Sequence, residues 1–154
     1  MNGFVFDIQA KRNISIQNIF VSLLEEAAEA SLSYNIEIYT KQYTHVGNYD
    51  EKDWNKIGSI PVASLINIER YEPRLLPIPS QFIEKGTKRA FYITIDDRSV
   101  NHFYSVAGEG FNSQSWLSDS QIDIKEGCIL KRKLQETKWC NNGASYNIVG
   151  GVDY

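Results

Sequence analysis

Apolar residues recur at every second position along much of this chain, and that spacing commits it to β-strands. Extended backbone sends successive side chains to opposite faces, so a period of two buries one face of a sheet, whereas a helix needs 3.6. Phe4, Phe6 and Ile8 carry the pattern in Gly3-Phe4-Val5-Phe6-Asp7-Ile8. Ile14 and Ile16 continue it, and Ile19, Val21 and Leu23 resume it after a step of three that a β-bulge would absorb. Tyr34, Ile36 and Ile38 predict a third strand, with Asn35 and Glu37 on its other face. Further strands are expected over 54–62, 65–68, 89–95, 103–106, 121–124, 128–130 and 146–154.

Turn residues separate these segments. Val46-Gly47-Asn48, Lys85-Gly86-Thr87, Asp96-Asp97-Arg98-Ser99 and Asn141-Asn142-Gly143 each tolerate positive φ or close a turn. Gly150-Gly151 is expected to allow a bend or bulge. Leu75-Leu76-Pro77-Ile78-Pro79 reads as an extended connection between sheets. At most one short helix fits, over Leu23 to Ala30. About eight to ten short strands at this spacing predict an antiparallel, jelly-roll-like β-sandwich. With no repeat, linker or low-complexity tract, residues 1–154 are expected to form one domain.

A net charge of −3 leaves no electrostatic footprint for nucleic acid, and the Lys131-Arg132-Lys133 run is too short to supply one. No window approaches the roughly 18 apolar residues that span a bilayer, and the N-terminus lacks the pattern of a secretory signal. Cys128 and Cys140 are separated by eleven residues, a distance over which a hairpin brings two strands together, so the spacing allows a disulfide. Two free buried thiols are the alternative.

Catalytic constellations are hard to assemble from these residues. His45 and His102 are the two histidines, and neither belongs to a spaced metal cluster. His45 precedes a turn and is expected at the surface. His102 follows Asp96-Asp97-Arg98 with Ser99 and Ser105 nearby, but no nucleophile elbow presents either serine. Gly108-Glu109-Gly110 lacks the remainder of a phosphate loop. Acidic loops offer a different chemistry: Asp50 and Asp53 in one, Asp96 and Asp97 in another, would suit calcium, which accepts flexible oxygen donors. Among the tryptophans, Trp54 is expected in the core. Trp116, between Ser115 and Leu117 in a polar stretch, is the candidate for an exposed contact surface, with Tyr104 and His102 beside it.

Several stretches together resemble a known module. They are Gly3-Phe4-Val5-Phe6-Asp7-Ile8, Tyr34 to Lys41, Val46-Gly47, Trp54, Ile57-Gly58, Ala90 to Ile95 and Ser118 to Gly127. In that order they are similar to a β-sandwich module of unassigned function found in surface and secreted proteins of marine bacteria and in microalgae such as diatoms. The resemblance implies a surface or secreted location and a non-catalytic role in adhesion, glycan contact or scaffolding. It carries no catalytic residues over. The expected function is therefore a binding or adhesion module that contacts glycan or protein through loops at one end of the sandwich. The alternative is a structural subunit that assembles with copies of itself into a fibre, sheet or shell.

Overall fold

The computed structural model describes residues 3–23, 33–65, 72–95, 105–107, 115–130, 146–148 and 150–154. Within them the chain is built of antiparallel strands: β1 (Gly3–Ala10), β2 (Ile14–Val21), β3 (Asn35–Gln42), β4 (Asn55–Pro61), β5 (Arg74–Ile83) and β6 (Lys88–Ile95). Shorter segments follow as β7 (Ser105–Ala107), β8 (Ser115–Ser118), β9 (Ile122–Lys125), β10 (Cys128–Leu130), β11 (Tyr146–Ile148) and β12 (Gly150–Asp153). The helices among the described residues are short 3-10 turns at Glu51–Asp53 and Val62–Leu65. Of the expected helix, Leu23 alone lies inside the described residues.

One sheet has the order β4-β3-β6-β1-β9-β8, with β10 also paired to β1; a second has the order β12-β2-β5; β11 and β7 pair separately. Phe4, Phe6 and Ile8 of β1, Ile36 and Ile38 of β3, and Phe91, Ile93 and Ile95 of β6 join Ile16, Ile19 and Val21 of β2 and Leu76 and Ile83 of β5 in one apolar cluster. Two antiparallel sheets facing each other across a shared core make an all-β sandwich. Phe6 stacks on Phe91 with ring centroids 5.9 Å apart.

The irregularities follow the sequence closely. Ile16 and Ile19 are both buried, and the β2–β5 register shifts between Ile16 and Asn18. That is where the period-two pattern slips. On the partner strand the slip falls between Pro77 and Gln81. The segment expected to be a connection is thus strand β5, a correction with a simple cause. Among the described residues β5 pairs only with β2, and an edge strand with a bulge tolerates prolines that cannot donate to a ladder. Gly47 and Gly86 take φ of +73° and +82° at two of the expected turns. Gly150 and Gly151, expected to bend a strand, instead pair in regular register with Val21 and Phe20.

A second bulge joins β9 to β10. Gly3 to Val5 pair with Leu130 to Cys128, and Ile8 to Ala10 pair with Ile124 to Ile122, so the intervening stretch carries one extra residue. Gly127 sits in it: a Cβ there would lie 2.0 Å from the Val5 carbonyl oxygen and 2.9 Å from the Phe4 ring. Only glycine lets the two backbones approach so closely.

The central strands are buried on both faces: every residue from Ala90 to Ile95 is buried, Thr94 included. Val5, Tyr39, Ala90, Tyr92, Cys128 and Leu130 form a second cluster with Tyr49 and Trp54, separate from the inter-sheet core. Residues 43–54 lie over the outer face of the large sheet and supply that cover. Trp54 packs edge-on to Tyr92 at 6.1 Å, bearing out its assignment to the core.

Candidate functional site

Among the described residues, polar side chains gather beneath one loop, and an exposed tryptophan marks another place. The first is where residues 43–54 attach to β1. Asp7 is the one charged residue in β1, between Phe6 and Ile8, and it is buried. A carboxylate inside an apolar strand must be paired or hydrogen-bonded to remain ionised. Its Oδ2 accepts from the Thr44 hydroxyl at 2.5 Å, and its Oδ1 accepts from the His45 backbone N–H at 3.0 Å. The same Oδ1 lies 2.7 Å from His45 Nδ1. His45 is 0% exposed, so the surface position expected for it is wrong. Its place just before the turn at Gly47 suggested a solvent-facing position, but a carboxylate 38 residues away holds the imidazole inside.

An ionised carboxylate only accepts, so the proton of the short contact sits on His45 Nδ1. Nε2 is buried with no hydrogen-bond partner among the described residues. Burial alone would push the Asp7 carboxyl up. The hydrogen bond and charge of His45, the Thr44 hydroxyl and the His45 amide together outweigh it and hold Asp7 below the ordinary carboxylate range. Burial, with the nearby Asp7 charge, pushes the Tyr49 phenol up. The Tyr49 hydroxyl lies 3.8 Å from Cys128 Sγ. Beyond the clamp, the Asn48 amide N–H donates to the His45 carbonyl at 2.9 Å, and Trp54 Nε1 donates to the Asn48 carbonyl at 3.0 Å. Asp7 therefore anchors a folded loop. No described nucleophile meets Nε2, and no solvent reaches it.

The second place is an open side of the sandwich. Strand β8 is one edge of the large sheet and β12 is one edge of the small sheet. Trp116 was expected in a loop, but it lies on β8; a strand of four residues flanked by serines is too short to show a period. It is 38% exposed, and Leu117 beside it is also exposed. Trp116 and Leu117 face Gly150, Gly151 and Val152 across a narrow gap floored by Phe6 and Ile124. A cleft of about 340 Å³ continues from it past Ser118, Asp119 and Tyr154. No atom of the described residues would lie within 4 Å of a Cβ at Gly151, so the small-sheet wall leaves space there among them. On the rim, Asp119 accepts from the Gln121 and Ile122 amides at 2.6 and 2.8 Å and from the Tyr154 hydroxyl. The Tyr154 bond and then the two amides keep its carboxyl low. Lys11 pairs with Asp123 at 2.8 Å.

Of the proposed calcium donors, Asp50 caps the Glu51–Asp53 turn through the Lys52 amide and pairs with the Lys52 ammonium at 2.7 Å. Asp53 is exposed on the same turn. Among the described residues no three His, Cys, Asp or Glu side chains come together as a metal site. Asp96, Asp97, His102, Tyr104 and Cys140 lie outside the described residues. Cys128 is buried and disulfide-bonded. No described helix is long and apolar enough to cross a membrane.

No protein-family model matches this chain, and comparison with curated proteins finds no significant match.

Proposed function

We propose that this chain is a non-catalytic binding module whose contact surface for glycan or protein is the open side of the sandwich centred on Trp116. The observation that carries the reading is a large aromatic side chain left accessible on an edge strand, next to a cleft with an apolar floor and a polar rim. A partly exposed indole beside an apolar floor suits stacking on a sugar ring or packing against a protein side chain. The fully enclosed Asp7–His45 pair supports a structural use of the one described histidine.

The alternative, a self-assembling subunit, is favoured by the same two strands. Edge strands present unpaired backbone groups to another chain. Light scattering over a concentration series separates the two: a monomer at every concentration supports the module, and growth to large particles supports the subunit. Trp116→Ala is expected to weaken glycan or protein binding while costing less than about 3 kcal/mol of stability, because the indole is only partly buried. A large loss of stability would return Trp116 to the core and remove the basis of the reading.

A further inference from the structure

On the side of the sandwich away from Trp116, the end of β3 and the start of β6 face the end of β5. A pocket of about 180 Å³ opens between them, roughly the room that one sugar ring occupies. Strands β1 and β9 in the large sheet, and β2 in the small one, separate it from the Trp116 cleft. Its walls include two aromatic side chains that folding leaves in water: Tyr43 is 68% exposed and Phe82 is 55% exposed. Scattered surface apolar residues are ordinary, but two aromatics lining one concave site are a concentration of stacking surface.

Tyr43 is held there by its backbone. It is the one non-glycine residue with positive φ among the described residues, at +68°. Left-handed backbone disfavours an L side chain, and persists when the surroundings enforce it. They do so here: the Tyr43 amide donates to the Lys88 carbonyl at 3.0 Å, and the next two residues are clamped by Asp7. The buried carboxylate thus aims an exposed ring.

Arg89 and Lys88 also line the pocket, against one carboxylate, Glu84. Arg89 is half-buried, and its Nη1 donates to Gln81 Oε1 at 3.3 Å. No carboxylate among the described residues pairs with it, and burial lowers its guanidinium from the ordinary value with nothing offsetting. A half-buried guanidinium with donors to spare is suited to a bidentate oxyanion.

We infer that the Tyr43–Phe82–Arg89 pocket binds an acidic sugar unit, a uronic acid or sulfated pyranose, with the ring stacked on the aromatics and its oxyanion on Arg89. The site deepens the binding-module reading, on which it rests, but occupies a different surface.

The test is calorimetric titration with uronic-acid tetrasaccharides and sulfated disaccharides, each beside its neutral counterpart. The acidic probes are expected to bind, and the neutral ones to bind at least about tenfold more weakly. Phe82→Ala and Tyr43→Gly should each weaken binding by about three- to tenfold. Tyr43→Gly should also leave the melting temperature equal or higher, because glycine relieves the positive φ; loss of binding is then not loss of fold. Arg89→Lys, which keeps the charge but not the fork, should erode the preference for acidic over neutral probes. Equal affinity for acidic and neutral probes, or acidic binding untouched by Tyr43→Gly and Phe82→Ala, overturns the inference. Binding abolished by Trp116→Ala and not by Tyr43→Gly overturns this site and leaves the module reading standing. Failure of every probe to bind overturns this site and the glycan half of that reading together.

Discussion

Replacing Asp7 with alanine removes three hydrogen bonds at once and leaves His45 buried opposite a methyl group. The carboxylate accepts from the Thr44 hydroxyl at 2.5 Å, the His45 amide at 3.0 Å and His45 Nδ1 at 2.7 Å, all across more than 35 residues of sequence. Hydrogen bonds to a charged group are worth about 1.5–3 kcal/mol each, but they do not add when they share one acceptor. Part of their energy also offsets the desolvation of the carboxylate. Each buried donor left without its acceptor costs about 1–3 kcal/mol, and with the His45 amide and Nδ1 both stranded the loss for Asp7→Ala comes to about 3–5 kcal/mol. For a chain of 154 residues it corresponds to a fall in Tm of about 6–20 °C. Asp7→Asn keeps the shape but offers one acceptor oxygen in place of two, so it should fall between alanine and the natural residue. Urea unfolding followed by tryptophan fluorescence measures both, since Trp54 closes the loop that Asp7 anchors. A double-mutant cycle with His45→Gln should give a coupling energy above about 1 kcal/mol. An Asp7→Ala loss below about 1 kcal/mol, or a coupling near zero, would refute the assignment of Asp7 as the anchor.

Three further outcomes follow from the same geometry. Because Asp7 titrates lower in the folded chain than its unfolded value of about 3.9, its contribution is complete above that value and is lost as pH falls through the folded one. Unfolding midpoints should therefore drop below about pH 4, and the drop should shrink in Asp7→Asn; an unchanged pH profile would count against the linkage. Gly127→Ala drives a Cβ into the Val5 carbonyl and should cost about 3 kcal/mol or more by forcing the bulge open, checked by urea midpoint. Alkylation in denaturant without reductant should label neither Cys128 nor Cys140, and both should label after reduction; two labels before reduction would exclude a disulfide between them.

The two exposed surfaces are built differently. Trp116 and Leu117 sit on an edge strand, where the sandwich stops short of closing, and their exposure is a property of the sheet boundary. Tyr43 is exposed because the backbone on either side of it is fastened down: Gln42 pairs with Arg89 before it, and Thr44 and His45 grip Asp7 after it. Weakening the clamp should therefore disturb the Tyr43 pocket and leave the Trp116 cleft alone.

What the sequence determined alone was the local conformation of the long strands and the positions of two turns. Period two is a property of neighbouring residues, so it declared β1, β2, β3 and β6 and marked the slip between Ile16 and Ile19 as a bulge. Gly47 and Gly86 announced their turns because positive φ is a local demand. Strand β8 stayed hidden, since four residues beginning and ending in serine show no period, and β5 was masked by prolines that only an edge position tolerates. What the tertiary structure decided was every pairing between distant residues. Phe6-Asp7-Ile8 held one usable signal, a lone carboxylate in an apolar strand, but nothing in it pointed to Thr44 and His45. Nor did the residues around Tyr43 reveal that β5 would bring Phe82 alongside. Such partners are chosen by which strands lie adjacent, and adjacency is settled by the burial of both sheet faces at once, an energy no local stretch of sequence contains.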